Sequence, residues 1–132
     1  MKVNELIEKL NQFNPDGKAQ VTVHPYAYDE EDLYDYIVCL SLEENSADGE
    51  LVVLIHTSED EYTCENKQRA ITVQELITKL NNFNPDGSLT VYQNNLNYHE
   101  REDYCEIDCL SMTDAHGQLV ITINTYEIFT HI

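Results

Sequence analysis

One stretch of this chain is written twice. Residues 3–17 read VNELIEKLNQFNPDG and residues 73–87 read VQELITKLNNFNPDG, identical at 12 of 15 positions at a spacing of 70. Only Asn4/Gln74, Glu8/Thr78 and Gln12/Asn82 differ. Such a match implies an internal duplication, so both halves are expected to fold alike. Within the stretch, Val3, Leu6, Ile7, Leu10 and Phe13 fall at i, i+3, i+4, i+7 and i+10, one apolar stripe of a helix. Val73, Leu76, Ile77, Leu80 and Phe83 repeat it. Thr72 followed by Glu75 reads as a capping box, whereas Lys2 takes the threonine's place in the first half. Pro15 and Pro85 disfavour helix in the residue before them, and Asn-Pro-Asp-Gly suits a type I turn. A helix of about 11 residues is marginal alone in water, so its stripe must be buried against the segments that follow.

Those segments read as strands. Gln20–His24 alternates and is β-branched, and its twin is read as Ser88–Tyr92, which slips the spacing from 70 to 68 and shortens the second turn by two residues. A second strand is expected over Leu33–Leu42, with its twin over Asp103–Met112. Alternation puts Ile37 and Cys39, and likewise Ile107 and Cys109, on the core face as small buried thiols. A third strand is expected over Leu51–His56 and Leu119–Asn124, with Thr125–Ile132 a tail that packs back as an extra strand or turn. Glycine-containing loops between consecutive strands imply antiparallel pairing. The expected fold class is therefore α+β: an internal duplication of an α-β-β-β unit, each helix lying on an antiparallel three-stranded meander, with a pseudo-two-fold between the units. The units are read as residues 1–60 and 71–132, joined by a polar linker over 61–70. A unit of that size has a thin core, so the two are expected to share one.

Charge limits what the chain can do. It carries 25 acidic residues against 7 basic ones, a net −18, with −13 in residues 1–66 and −5 in residues 67–132. Phosphate contacts need cations, so direct nucleic-acid binding is excluded, and an anionic membrane is repelled. No apolar run approaches a membrane span, and no signal-peptide pattern opens the chain. Four cysteines, Cys39, Cys64, Cys105 and Cys109, without an export signal read as reduced cytoplasmic thiols.

The opening Glu5-Leu6-Ile7…Leu10…Phe13…Pro15-Asp16, with its twin, resembles the beginning of many short, mostly uncharacterised α+β proteins of phages and bacteria. It covers about 40 residues in all, most of it explained by an amphipathic helix and a turn. The resemblance carries no catalytic residues. It implies a phage or prophage setting, in which small acidic proteins inhibit host defence nucleases.

Sites of bond-making chemistry are hard to find. Cys105 and Cys109 stand four apart on a strand, about 13 Å, too far to share one zinc. Asp29-Glu30-Glu31-Asp32 lacks the alternating ligand spacing of a calcium loop. No nucleophile elbow, phosphate loop or zinc-protease motif occurs, and the five histidines are scattered. The expectation is a protein that is no enzyme and has neither metal nor cofactor.

Carboxylates interleaved with tyrosines on a rigid sheet can imitate a run of phosphates and enter a basic cleft built for nucleic acid. The same surplus also serves solubility. The residues expected to meet a basic partner are Asp29, Glu30, Glu31, Asp32, Tyr34 and Asp35, with Glu43, Glu44 and Asp48 at the other sheet end. The resulting expectation is an acidic inhibitor of a nucleic-acid-handling defence protein. Alternatives are a small-ligand binder with a pocket between the halves near Cys39 and Cys109, and a toxin-neutralising immunity protein. The oligomeric state is left open.

Overall fold

Both helices start where the stripes start, because each helix beginning is held by the opposite half of the chain. The computed structural model describes residues 1–24, 36–44, 49–58, 71–95, 104–115 and 118–130. The helices are α1 (Val3–Phe13) and α2 (Val73–Phe83). Val3, Leu6 and Leu10, and Val73, Leu76, Ile77 and Leu80, are buried along them. The strands are β1 (Gln20–His24), β2 (Tyr36–Glu44) and β3 (Leu51–Ser58), then β4 (Val91–Asn95), β5 (Tyr104–Ala115) and β6 (Gln118–Thr130).

The first four N–H groups of a helix have no partner inside it. In α2 all four are satisfied. Thr72 N–H donates to Glu75 Oε1 at 3.2 Å, and Glu75 N–H donates to Thr72 Oγ1 at 3.2 Å, which is the expected box. Val73 N–H donates to the Ala19 carbonyl at 2.9 Å and Gln74 N–H to the Gly17 carbonyl at 3.0 Å. In α1, Val3 N–H donates to Leu89 O at 2.9 Å and Asn4 N–H to Gly87 O at 3.1 Å. Lys2 N–H donates to Glu5 Oε1 at 3.0 Å, but a lysine side chain offers no acceptor to Glu5 N–H, so this box is half made.

The Asn-Pro-Asp-Gly turns are built to present those carbonyls. Gly17 N–H donates to Asn14 O at 3.0 Å, and Asn14 Oδ1 accepts from Ala19 N–H at 2.9 Å. Gly87 and Asn84 do the same with Leu89. Asp86 Oδ1 accepts from Ser88 Oγ at 2.7 Å and Ser88 N–H at 3.0 Å, and these bonds, the hydroxyl's first, hold its carboxyl below the usual carboxylate range. The bonds fix the alignment of the halves. Ala19 answers to Leu89 and Val21 to Val91, so the spacing stays at 70 through the turn. The expected slip to 68 there is corrected, and β4 begins at Val91 instead of Ser88. The two-residue difference falls later, in the β5–β6 hairpin, since Ser41 faces Leu54 while Ser111 faces Thr122.

The six strands form one mixed sheet in the order β1-β6-β5-β4-β3-β2. It is not a pair of separate meanders. β1 pairs in parallel with β6, and β4 in parallel with β3. The β3–β4 connection runs through α2, the kind of crossover that parallel neighbours need. β1 and β2, the ends of the order, lie against each other, so the sheet curls toward a barrel. Among the described residues, β4 and β5 are joined at Tyr92–Glu106 and Gln93–Cys105. Next to that ladder the edge of β4 is taken by the lead into α1, where Val91 N–H donates to Met1 O at 3.0 Å. The core lies between the helices and one sheet face, with Val21, Val23, Val53, Ile55, Val91, Ile121 and Ile123 at its centre. The expected tail continues β6 to Thr130, opposite Tyr104.

Two register shifts overturn the expected facing of β2 and β5. The ladder jumps between Ile37 and Cys39, and between Ile107 and Cys109. A bulge adds one residue and reverses alternation beyond it. Leu40 and Leu110 therefore join Ile37 and Ile107 in the core, while Cys39 and Cys109 are exposed.

Two outcomes follow from the helix starts. A Cβ at Gly87 would lie 2.6 Å from Asn4 Cβ, and one at Gly17 2.9 Å from Gln74 Cβ, both at positive φ. Gly49 also has positive φ but meets only Glu44 Oε1 at 3.8 Å. Urea unfolding is expected to rank the losses Gly87→Ala, then Gly17→Ala, then Gly49→Ala, the last costing about 1–2 kcal/mol. Lys2→Thr, which supplies the missing acceptor, is expected to raise stability by about 0.5–1 kcal/mol in the same assay, and Thr72→Ala to lower it by about 1 kcal/mol.

Candidate functional site

The sheet face turned away from the core carries polar side chains that join three strands. Ser41 on β2, His56 on β3 and Asn94 on β4 are all half-buried there. Ser41 Oγ lies 2.6 Å from His56 Nε2, and Asn94 Nδ2 lies 3.1 Å from His56 Nδ1. Ser41 Oγ also donates to Glu43 Oε1 at 3.3 Å. These contacts agree with one direction of donation. Asn94 gives an N–H to Nδ1, His56 gives its Nε2–H to Ser41, and Ser41 gives its only proton to Glu43. Linked in this way, the trio ties β2, β3 and β4 together as a polar strut. Burial pushes the His56 pKa below its ordinary value, against the raising effect of Glu43. The imidazole is therefore neutral near pH 7, the form that this direction requires.

The second half fills the same positions differently. Asn124 stands at the place of His56 and donates to Ser111 Oγ at 3.1 Å and, more loosely, toward Cys109 Sγ at 3.8 Å. On the core side, Gln93 Nε2 donates to Thr57 Oγ1 at 2.8 Å, a buried polar pair across the β3–β4 seam. Sequence reasoning missed both features. The histidines gave no periodic signal, and the assumed slip of two residues hid that Gln93 stands where Val23 stands.

Of the expected partner-binding residues, Glu43 and Glu44 are exposed at the end of β2. They point to opposite faces, Glu43 beside the strut and Glu44 on the core side opposite Leu51. Asp29, Glu30, Glu31, Asp32, Tyr34, Asp35 and Asp48 lie outside the described residues. The strands around them are informative nonetheless. Tyr36 pairs with Ser58, Thr57 with Asn95 and Tyr104 with Thr130, so these strand ends share one end of the sheet. Residues 25–35, 59–70 and 96–103 connect at those ends, and they contain 12 acids against Lys67, Arg69 and Arg101.

Charge is also divided along the chain. No Lys or Arg occurs in any of the six strands. The cations among the described residues, Lys2, Lys9, Lys18 and Lys79, lie in the helices and the segments beside them. Residues 1–19 and 71–89 hold five acids and four cations, and the remaining residues 20 acids and three cations. Among the described residues no group of three or more His, Cys, Asp or Glu is placed to hold a metal ion. No helix among them is long and apolar enough to cross a membrane. Cys39 and Cys109 sit on exposed strand positions. Comparison with protein-family models, curated proteins and solved structures finds no match to the chain.

A group whose folded pKa is depressed contributes stability above its unfolded value and loses it as pH falls through the folded one. The neutral His56 strut is therefore fully present above about pH 6.5 and weakens below it. Asn124 shows that asparagine can serve in this place without titrating. Melting curves are expected to show a smaller drop from pH 7.5 to pH 5 in His56→Asn than in the unmodified protein. Equal drops would remove His56 from the acid response.

Proposed function

We propose that this chain is a non-enzymatic, cytoplasmic acidic protein that occupies the basic surface of a nucleic-acid-handling partner. The observation that carries the reading is the division of charge. Helices and turns are close to balanced, while strands without a single cation, and the connections at their ends, hold the surplus. A solubility role alone asks for no such division, because mixed charges keep a protein dispersed equally well. A surplus of one sign attracts a cationic cleft and speeds the encounter. In its most specific form the proposal is a phage-type inhibitor of a host defence nuclease or similar protein, acting as a nucleic-acid mimic. The resemblance of the two openings to phage proteins supports that setting. We further read the two halves as a duplicated α-β-β-β unit related by a pseudo-two-fold. The recurrence of the helix-start and turn hydrogen bonds at a spacing of 70 supports this.

The test is capture from host lysate on immobilised protein, with elution by rising salt and by duplex DNA. A mimic's partner is released by both, since both compete for the same cations. Reversal of Glu30, Glu31 and Asp32 to Lys is expected to weaken that binding at least roughly tenfold, at up to about 1 kcal/mol per ion pair lost, and to flatten its salt dependence. A partner that stays bound in high salt and ignores DNA would sink the proposal.

A further inference from the structure

The hairpin between β2 and β3 exposes apolar side chains where a strand end would ordinarily be covered. Leu42 faces Val53, and Glu44 faces Leu51, across this antiparallel pair. Directly opposed residues, and residues two apart on one strand, share a face. Leu42, Glu44, Leu51 and Val53 are therefore all on the core side. Val53 is fully buried, yet Leu42 is 42 % exposed and Leu51 52 % exposed. Half-exposed on the core side, the two leucines form a ledge about 7 Å across. Exposed Glu44 lies on the same face opposite Leu51, and exposed Glu50 precedes Leu51 in the chain. On β5, Met112 holds the position of Leu42 and is 48 % exposed.

We propose that Leu42 and Leu51, with Glu44 and Glu50, form a docking ledge for a basic protein segment that carries apolar anchors. This rests on the charge-based reading above and names the chemistry of the partner. The leucines call for apolar side chains spaced like two residues on one face of a helix or strand. The carboxylates call for Lys or Arg beside them. A second copy of this chain is a poor occupant, because a two-fold contact through one patch would set Glu44 and Glu50 against their own copies in a chain of net −18. Nucleic acid and anionic lipid are repelled by the same charges. What remains is a basic amphipathic segment, bound by apolar burial at the centre and ion pairs at the rim.

Two synthetic peptides of equal positive charge test this, one with leucines at helical spacing among lysines, the other with those leucines changed to serine. Binding to the intact protein is followed by fluorescence anisotropy and by amide shifts. The leucine peptide is expected to bind roughly tenfold more tightly, the scale of burying two half-exposed leucines, and to keep that advantage in high salt. Shifts are expected at residues 42–44 and 50–52. The Leu42→Ser/Leu51→Ser variant is expected to abolish the preference while its circular dichroism stays unchanged, since both side chains are already half in water. Should that variant not fold, Glu44→Lys/Glu50→Lys serves instead, and is expected to weaken both peptides and spare the leucine preference. Equal affinities with normal salt sensitivity would overturn the ledge and leave the charge reading standing. Failure of both peptides to bind at low salt would overturn both. Reversible dimerisation through residues 42–51 would assign the ledge to a second copy and end the proposal.

Discussion

The fold depends on an exchange of backbone hydrogen bonds between the two halves of the chain. Each helix begins with amide groups that it cannot satisfy, and each Asn-Pro-Asp-Gly turn ends with carbonyls aimed at the other half's helix. Val3 and Asn4 donate to Leu89 and Gly87, and Val73 and Gln74 donate to Ala19 and Gly17. A buried amide left without a partner costs about 1–3 kcal/mol, so neither half closes its own account alone. The two glycines follow from the same contact. Their carbonyls come so near the opposing helix that a Cβ would collide with it.

That exchange decides the sheet. The lead into α1 lies along the edge of β4, and among the described residues β4 pairs with β5 at two positions and makes its longer ladder with β3 of the other half. β1 does likewise with β6. Two halves that would each have a thin core thereby share one. The Ser41–His56–Asn94 strut and the Gln93–Thr57 pair lie on either face of the β3–β4 seam, tying the halves with polar bonds where the apolar core gives out. By sequence, the acidic surplus falls in the strands and in the connections between them, and Glu43 adjoins the strut.

Much of this was legible. The helical stripes, both capping environments and the turns were written in residue spacing, because a helix and a tight turn are set by neighbours within a few positions. Gln20–His24 was legible as well. The misreadings have specific causes. A strand's pattern repeats every two residues, so sliding β4 by two left each face unchanged and only the turn hydrogen bonds could expose the error. Cys39 and Cys109 were assigned to the core because alternation was carried through a bulge, and a bulge has no fixed residue signature. The strut was invisible because Ser41, His56 and Asn94 come from three strands, one of them in the other half. Of the expected contact residues, the structure separates Glu43 from Glu44 by face, and the leucine ledge beside Glu44 had no signal in the sequence beyond ordinary strand residues.

By itself the sequence determined that there are two helices with one buried stripe each, that a repeated turn follows both, and that anions outnumber cations by a wide margin. These are local or additive properties, fixed by spacing and by count. Tertiary structure alone decided which strand pairs with which and which face a residue takes beyond a bulge. Each of those depends on contacts between residues far apart in the chain, where the competing pairings share the same alternation and only the satisfaction of every buried amide selects among them.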